Sequence, residues 1–232
     1  MMRRLAAALR PSLKQNVRNL RQLTKQTLHE MQLEFRFGSD LRKAATGKSG
    51  LLLHVGCGPR ILDGWLNIDF NPSSKGAFYF NAINPLPIAT GTVERIHCEH
   101  FLEHLNFEDA ERFIGECRRV LGPSGSLRII VPDAGKYMTA YAARDAAYFD
   151  QLKHLGNAST PLETPAIICN QMFRMGGDHR FAWDFETLSL VGRRQGFGSI
   201  ELSDWRQAPA AYEVDGRDDW RRLESLFAEL RV

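Results

Sequence analysis

The spacing of hydrophobic residues changes once along this chain and divides it into two parts. Residues 12–37 carry apolar side chains at steps of three and four, with basic side chains on other faces, which predicts an amphipathic helix. Residues 38–50 predict a linker. After the linker, short apolar runs alternate with helical patterns, which is typical of an α/β fold with a parallel sheet. We therefore predict a helical extension over 1–50 and one α/β domain over 51–232.

The α/β part contains several strand patterns and several helix patterns. Apolar runs bounded by turn residues predict strands at 51–55, 65–69, 76–80, 93–98, 126–131, 198–203 and 225–231. Helical periods predict helices at 107–121, 135–153 and 184–195. We expect Asn106 and Asp184 to cap two of these helices at their first turns. Residues 154–180 have no clear period and contain two prolines, so they are a candidate lid.

Charge is distributed unevenly over the two parts. Residues 1–50 contain eleven Lys or Arg and three Asp or Glu, whereas the whole chain has a net charge of +3, so the remainder is mildly acidic. An acidic body argues against a nucleic-acid enzyme with a basic cleft, and we expect no nucleic-acid partner. For the helix over 12–37 two alternatives stay open. It packs on the body or on a second copy as a dimer, or it contacts a membrane surface or a polyanion.

The sequence also bears on where the protein is located. No window approaches the roughly 18–20 apolar residues that a membrane span needs. The first apolar run covers only Leu5–Leu9, which is too short for a secretory signal. The four cysteines lie far apart without a Cys-x-x-Cys pair, so we expect free thiols rather than disulfides or a zinc site. These features predict a cytoplasmic protein, with peripheral contact at a membrane left open.

The strongest chemical signal lies between residues 51 and 70. One strand pattern leads into Gly56-Cys57-Gly58, and the next ends at Asp69. Glycines after a strand let a ligand approach bare backbone, and an acid at the tip of the next strand can accept hydrogen bonds from a ribose. The interval from Gly56 to Asp69 is shorter than the roughly 20 residues of a dinucleotide fold, and the third glycine of that fold is missing. The pattern therefore favours a nucleoside cofactor without a pyrophosphate.

Five segments of the chain together resemble the class I S-adenosylmethionine-dependent methyltransferases, in particular a small bacterial group with the methyltransferase-11 pattern. The segments are HVGCGP (54–59), WLNID (65–69), NAINPLPIATGTVERIHCEHFLEHL (81–105), GPSGSLRIIVPD (122–133) and HRFAWDFETLSLVGRRQGF (179–197). The resemblance implies a Rossmann-like three-layer sandwich whose seven-stranded sheet is mostly parallel, with an antiparallel last strand. It also implies S-adenosyl-L-methionine as the cofactor.

The resemblance assigns particular residues to that cofactor. The loop 56–58 would lie under the methionine part, Asp69 would hold the ribose hydroxyls, and Phe70 would lie along the adenine. Asn81 stands where relatives place an aspartate that accepts from the adenine amino group, and a neutral amide accepts there without charge assistance. The assigned residues are His54, Gly56, Cys57, Gly58, Asp69, Phe70, Asn81, Ala82, Glu99 and His100.

Histidines near the fourth strand pattern are candidate catalytic residues. His97, His100 and His104 lie within eight residues of sequence. Three alternatives stay open: His100 or His104 acts as a general base at the mouth of the site, these histidines bond the backbone structurally, or they ligate a metal. We expect no metal, because Glu99 and Glu103 do not obviously supply a third ligand on the same face.

A further candidate is His179. It lies in Asp178-His179-Arg180, just before the last predicted helix, where relatives place residues that face the substrate. In one alternative it contacts the substrate or acts as a base, and in the other the segment is a salt-bridged start of that helix. The catalytic candidates are therefore His100, His104 and His179.

The sequence thus predicts a methyltransferase that acts on a small-molecule acceptor, with oxygen as the target atom. A sugar, a glycolipid precursor and a secondary metabolite are the acceptors that the resemblance implies. The alternative is a protein that binds S-adenosylmethionine without transferring its methyl group and serves as a partner or regulator. The missing third glycine and the amide at Asn81 motivate that alternative.

Overall fold

A seven-stranded mixed sheet forms the centre of a computed structural model that describes residues 11–37, 39–153, 161–207, 212, 214–216 and 220–232. The strands are β1 (Leu51–Val55), β2 (Leu66–Asp69), β3 (Ala77–Tyr79), β4 (Val93–Glu99), β5 (Leu121–Pro132), β6 (Ser199–Leu202) and β7 (Ser225–Arg231). Their spatial order is β3-β2-β1-β4-β5-β7-β6, and β7 runs antiparallel to both neighbours. The predicted seven-stranded, mostly parallel sheet with an antiparallel last strand is confirmed.

Helices flank this sheet, and two of them precede its first strand in the chain. They are α1 (Pro11–Phe37), α2 (Asp40–Ala45), α3 (Phe107–Val120), α4 (Ala134–Ala143), α5 (Ala146–Leu152), α6 (Pro165–Arg174), α7 (Phe185–Arg194) and α8 (Trp220–Glu224), with 3₁₀ turns at Leu102–His104 and Met175–Gly177. The predicted caps are correct, because Asn106 and Asp184 each accept a backbone N–H three residues on at 2.8 Å.

Two predicted segments are organised differently from the expectation. The predicted helix over 135–153 is two helices, because Arg144 adopts a left-handed conformation with φ of 55° and Asp145 then caps α5. The candidate lid over 154–180 contains the regular helix α6, and residues 154–160 of it lie outside the described residues. The spacing of apolar residues alone did not show that a helix ends before Arg144 or that α6 forms within the candidate lid.

The helices α3 and α7 pack together with the sheet in one apolar core. The buried stripe of α3, including Phe113 and Ile114, shares this core with Ile96 of β4 and Leu188 of α7. Burying a side chain of this size contributes about 1.5–3 kcal/mol. The packing holds the carboxyl ends of β1, β4 and β5 in place, and the predicted site residues follow those ends.

The opposite face of β4 and β5 carries buried charged side chains. Successive strand residues point to opposite faces, so Arg95 lies across the sheet from Ile96. Arg95 donates to the Glu229 carboxylate of β7 at 2.6 Å, and Arg128 of β5 donates from Nε to Asp215 at 2.6 Å. Residues 214–216, the C-terminal segment, therefore lie against this face. The connection from β1 to β2 is short, and it contains turns and no helix.

The region predicted as a linker is partly structured. Helix α2 lies within residues 38–50, and its Leu41 and Ala45 are buried in the main core. The prediction of a plain linker is therefore wrong for residues 40–45. The division of the chain into 1–50 and 51–232 stays a prediction, with α2 packed on the body.

Helix α1 leaves most of its apolar stripe exposed. Leu20 is 67% exposed and Met31 is 62% exposed, and Leu13 and Leu28 are exposed as well. The body therefore does not bury these four side chains, although α1 contacts β3. Contact with a second copy and contact with a membrane surface or polyanion stay open. Among the described helices, none has the length and apolar character needed to cross a bilayer.

Candidate functional site

The two glycines after β1 have different reasons to be glycine. Both have positive φ, 66° at Gly56 and 50° at Gly58. A Cβ atom on Gly56 would lie 2.7 Å from Cβ of Phe101, whereas a Cβ atom on Gly58 would meet nothing within 4 Å. Gly56 is therefore required by the packing of the chain itself. The backbone at Gly58 faces open space, and there a ligand could approach it.

Asp69 holds this loop against the end of β2. Its Oδ2 accepts the backbone N–H of Gly58 at 2.8 Å, and its Oδ1 accepts that of Asn71 at 2.8 Å. Cys57 N–H also donates to the carbonyl of Ile68 at 3.1 Å. A carboxylate has about four lone-pair sites, so Asp69 can still accept further hydrogen bonds. The structure thus brings the predicted loop and the predicted acid together.

The residues predicted to lie around an adenine follow β2 and β3, which are neighbours in the sheet. Phe70 is half-buried, with its ring centroid 6.0 Å from that of Tyr79. Asn81 Oδ1 accepts the N–H of Ile83 at 3.3 Å, and Ala82 is buried. These residues lie at the same sheet edge as Asp69, and their contacts with a cofactor stay predictions.

His54 makes its contact inside the sheet. It is 3% exposed, and its Nδ1 lies 3.0 Å from Oδ1 of Asn67 on β2. Burial, helped by the nearby His97, lowers the pKa of His54 to about 4, so the ring is neutral and donates this hydrogen bond. His54 therefore joins β1 to β2, and its assignment to the cofactor stays a prediction.

Glu99 is an ionised anchor at the end of β4. Its carboxylate lies 3.2 Å from an Arg60 nitrogen, 3.0 Å from Gly216 N–H, 3.3 Å from Arg221 Nε and 3.3 Å from His97 Nε2. Burial alone would raise the pKa of Glu99, but the hydrogen bond from His97 and the charges of His97 and Arg221 outweigh it and hold the pKa at about 2. Glu99 thereby ties the loop after β1 to the C-terminal segment.

The low pKa of Glu99 predicts a specific loss of stability in acid. The folded pKa of about 2 lies below the ordinary value of 4.5. The stabilisation is therefore complete above about pH 4.5 and is lost as the pH falls towards 2. We expect urea unfolding to show a smaller loss between about pH 6 and pH 3 in Glu99→Gln than in the wild type. Identical pH dependence in the two proteins would contradict this assignment.

A cavity of about 500 Å³ opens beside the carboxyl ends of β4 and β5. Its wall comes from these strand ends, from α4, α5, α6 and α8, and from both 3₁₀ turns. The three predicted catalytic residues, His100, His104 and His179, all line it. The structure thus brings His179 close to His100 and His104, from which it is far apart in the sequence.

His100 is poorly suited to act as a base. Its Nε2 lies 2.9 Å from Oγ of Ser225 and 3.4 Å from the carboxylate of Glu224. Burial, followed by the positive charge of Arg221, lowers the pKa of His100 well below its ordinary value. A neutral imidazole with such a low pKa accepts a proton weakly.

His104 and His179 form an edge-to-face pair whose ring centroids lie 5.0 Å apart. His104 Nδ1 lies 3.2 Å from the carbonyl oxygen of Asp178, and His179 Nδ1 lies 2.5 Å from that of Met172. Burial lowers the pKa of His179. The alternative in which residues 178–180 form a salt-bridged start of a helix does not describe His179, because its ring donates to the backbone carbonyl of Met172.

Two acids in the cavity were not singled out as site residues by the sequence. Glu103 is 2% exposed, and burial raises its pKa to about 8. Burial likewise raises the pKa of Glu224 to about 7. For Glu103 a signal exists, because the pair Glu99-His100 is repeated four residues later as Glu103-His104. For Glu224 we find no such signal.

A family model covers the part of the chain from β1 into β5. Residues 53–129 match the family model described as "Methyltransferase domain". No curated protein matches the sequence significantly. Solved structures with similar folds include S-adenosylmethionine-dependent methyltransferases from three organisms. That from Archaeoglobus fulgidus is 14% identical, with 87% of this chain and 99% of that chain covered and a TM-score of 0.48. That from Mesorhizobium loti is 16% identical (86% and 98% covered, TM-score 0.45), and that from Methanosarcina mazei is 16% identical (82% and 93% covered, TM-score 0.44).

Proposed function

We propose that this chain is a class I S-adenosylmethionine-dependent methyltransferase that uses S-adenosyl-L-methionine as its cofactor. We propose further that it methylates an oxygen atom of a small hydroxylated molecule. The cavity beside β4 and β5 carries the proposal. Its volume of about 500 Å³ falls within the roughly 300–1,000 Å³ of small-molecule sites. The cavity is also lined by polar groups that suit hydroxyls, including His104, His179 and Glu224.

The cofactor, when bound, supplies a methyl group attached to a positively charged sulfur. An acceptor atom attacks the methyl carbon in line with the bond to sulfur, and the sulfur is displaced. The loop at Gly58 would lie under the methionine part of the cofactor, and the carboxylate of Asp69 would hold the ribose hydroxyls. Glu99, which is ionised at the end of β4, holds Arg60 of the loop after β1 and Gly216 in place. In the cavity, His104 and His179 lie on the wall beside the acceptor, and His100 positions the start of β7 through Ser225.

A second candidate function is supported by one observation. Glu99, one of the residues assigned to the cofactor, is already held by Arg60 and Gly216 of the chain itself. This favours a protein that binds S-adenosylmethionine without transferring the methyl group and acts as a partner or regulator.

One experiment tests both functions. The full chain is titrated with S-adenosylhomocysteine by calorimetry and then incubated with S-adenosylmethionine and paired acceptors that differ only by a hydroxyl or an amine. We expect binding, and a product that has gained one methyl group on oxygen. Firm binding with no transfer to any acceptor would favour the regulatory alternative. Transfer to the amines alone would contradict the choice of oxygen.

Two alanine substitutions in the loop after β1 should separate folding from cofactor binding. We expect Gly56→Ala to lower the melting temperature by several degrees, because its Cβ would clash with Phe101. Gly58→Ala carries only the left-handed strain of about 1–2 kcal/mol, but its methyl group occupies the open space and weakens S-adenosylhomocysteine binding. Thermal unfolding and calorimetry measure the two effects. Unchanged affinity in Gly58→Ala would contradict the placement of the cofactor.

A further inference from the structure

Three metal-ligating side chains converge on the wall of the cavity. Glu103 and His104 belong to the first 3₁₀ turn, and His179 follows the second. One donor atom from each lies within 4.8 Å of the other two. The backbone holds them together, because the Glu103 carbonyl accepts the N–H groups of Arg180 at 2.8 Å and Phe181 at 3.3 Å.

Glu103 is a buried acid without a hydrogen-bond partner. It is 2% exposed, and neither carboxylate oxygen accepts a hydrogen bond from the described residues. His100 Nδ1 lies 3.4 Å from Oε1, but the contact does not have hydrogen-bonding geometry. An unpaired buried carboxylate is costly, and native proteins pair such groups or place them on metal ions. The orphaned carboxylate therefore points to a cation.

The two histidines are oriented as metal ligands commonly are. A carbonyl oxygen can only accept, so the contacts to the carbonyls of Asp178 and Met172 place the proton of each ring on Nδ1. Each Nε2 then carries a free lone pair. Metal-binding histidines usually donate their other ring N–H to a carbonyl or carboxylate, which sets the tautomer and the ring direction.

We propose that Glu103, His104 and His179 bind one divalent transition-metal ion in the wall of this cavity. Two imidazoles and one carboxylate suit Zn²⁺ and also Mn²⁺ or Fe²⁺. Bonds of about 2.0–2.2 Å require the donors to draw closer by about an ångström, which rotation of the exposed His104 permits. The proposal reverses the sequence expectation of no metal. The missing third ligand is His179, which the sequence places far from Glu103.

The role of the ion rests on the proposed function, although its binding does not. Three protein ligands leave a coordination position that faces the cavity, where the hydroxyl oxygen of the acceptor can bind. The ion lowers the pKa of that hydroxyl, and its proton passes to solvent water. The oxygen lone pair then forms the new bond to the methyl carbon. The bond from carbon to sulfur breaks, and the sulfur keeps that electron pair as a neutral thioether.

Mn²⁺ binding to the chelator-stripped full chain tests the site without any cofactor or acceptor. Electron paramagnetic resonance follows the loss of the free Mn²⁺ signal, and Zn²⁺ is added as a competitor. We expect one ion per chain, and at least about tenfold weaker binding in Glu103→Gln and in His179→Asn. His29→Asn, a histidine on the exposed α1, is the matched control and should bind like the wild type.

Thermal unfolding separates loss of the site from loss of the fold. Glu103→Gln keeps the side-chain shape, so its melting temperature without metal should be close to that of the wild type. Mn²⁺ should raise the melting temperature of the wild type and of His29→Asn, but not that of Glu103→Gln. No bound ion would overturn the proposal, and so would binding that is equal in all four proteins, which would show an adventitious ion only.

Failure of the site and failure of the proposed function give different results. Normal Mn²⁺ binding in a chain that fails to bind S-adenosylhomocysteine would remove the methyl-transfer function and leave the site. If methyl transfer continues unchanged after a chelator removes the metal, the ion has no role in the reaction. Transfer that is lost on chelation and restored by Mn²⁺ in the wild type and in His29→Asn, but not in Glu103→Gln, would support it.

Discussion

The substitution Arg128→Met is expected to lower the free energy of unfolding by about 3–5 kcal/mol, the cost of leaving a buried partner charge uncompensated. The Arg128 side chain is fully buried in β5. It donates to Asp215 at 2.6 Å, to Glu229 at 3.0 Å and to the carbonyl of Asp204 at 2.9 Å. Methionine fills a similar length but satisfies none of these acceptors. Urea unfolding followed by circular dichroism measures the change.

The matched control for this prediction is an arginine at the surface. Arg112 pairs with Asp109 on α3, but its side chain is 64% exposed. Surface ion pairs contribute about 0–1 kcal/mol, so Arg112→Met should change stability little. Comparable losses in the two variants would show that the ion pairs on the polar face of the sheet are not what holds the C-terminal segment.

The substitution Asp69→Ala is expected to weaken S-adenosylhomocysteine binding by about 1–3 kcal/mol, which corresponds to about five- to 150-fold. Two effects act together. The carboxylate expected to hold the ribose hydroxyls is removed, and the backbone N–H of Gly58 loses the acceptor that holds the loop. Calorimetric titration of the purified chain measures the affinity directly.

Asp63→Ala is the control for this substitution, because Asp63 lies exposed in the turn between β1 and β2. We expect its affinity to match that of the wild type. Asp69→Asn adds a second comparison, since an amide oxygen can still accept one hydrogen bond without the charge. Its affinity should fall between those of the wild type and Asp69→Ala. If both Asp69 variants also bind like the wild type, Asp69 holds the loop but does not bind the cofactor.

The sequence by itself determined the seven strands, the starts of two helices and the position of the glycine loop after β1. The seven strand patterns correspond to β1–β7, and Asn106 and Asp184 cap the helices that they were expected to cap. These features are local. A cap needs only an acceptor two or three residues before an N–H group, and a strand needs only a short apolar run between turns.

Tertiary structure decided which polar residues meet and what each can do. The burial that leaves Glu103 without a hydrogen bond depends on residues packed around it from several elements, and the approach of His179 depends on the connection through α6. Leu41 likewise became a core residue only because α2 folds against the body. Periodicity reports the face a residue lies on within its own element. Which distant side chain meets it, and how much water remains, is determined by the packing of the whole chain.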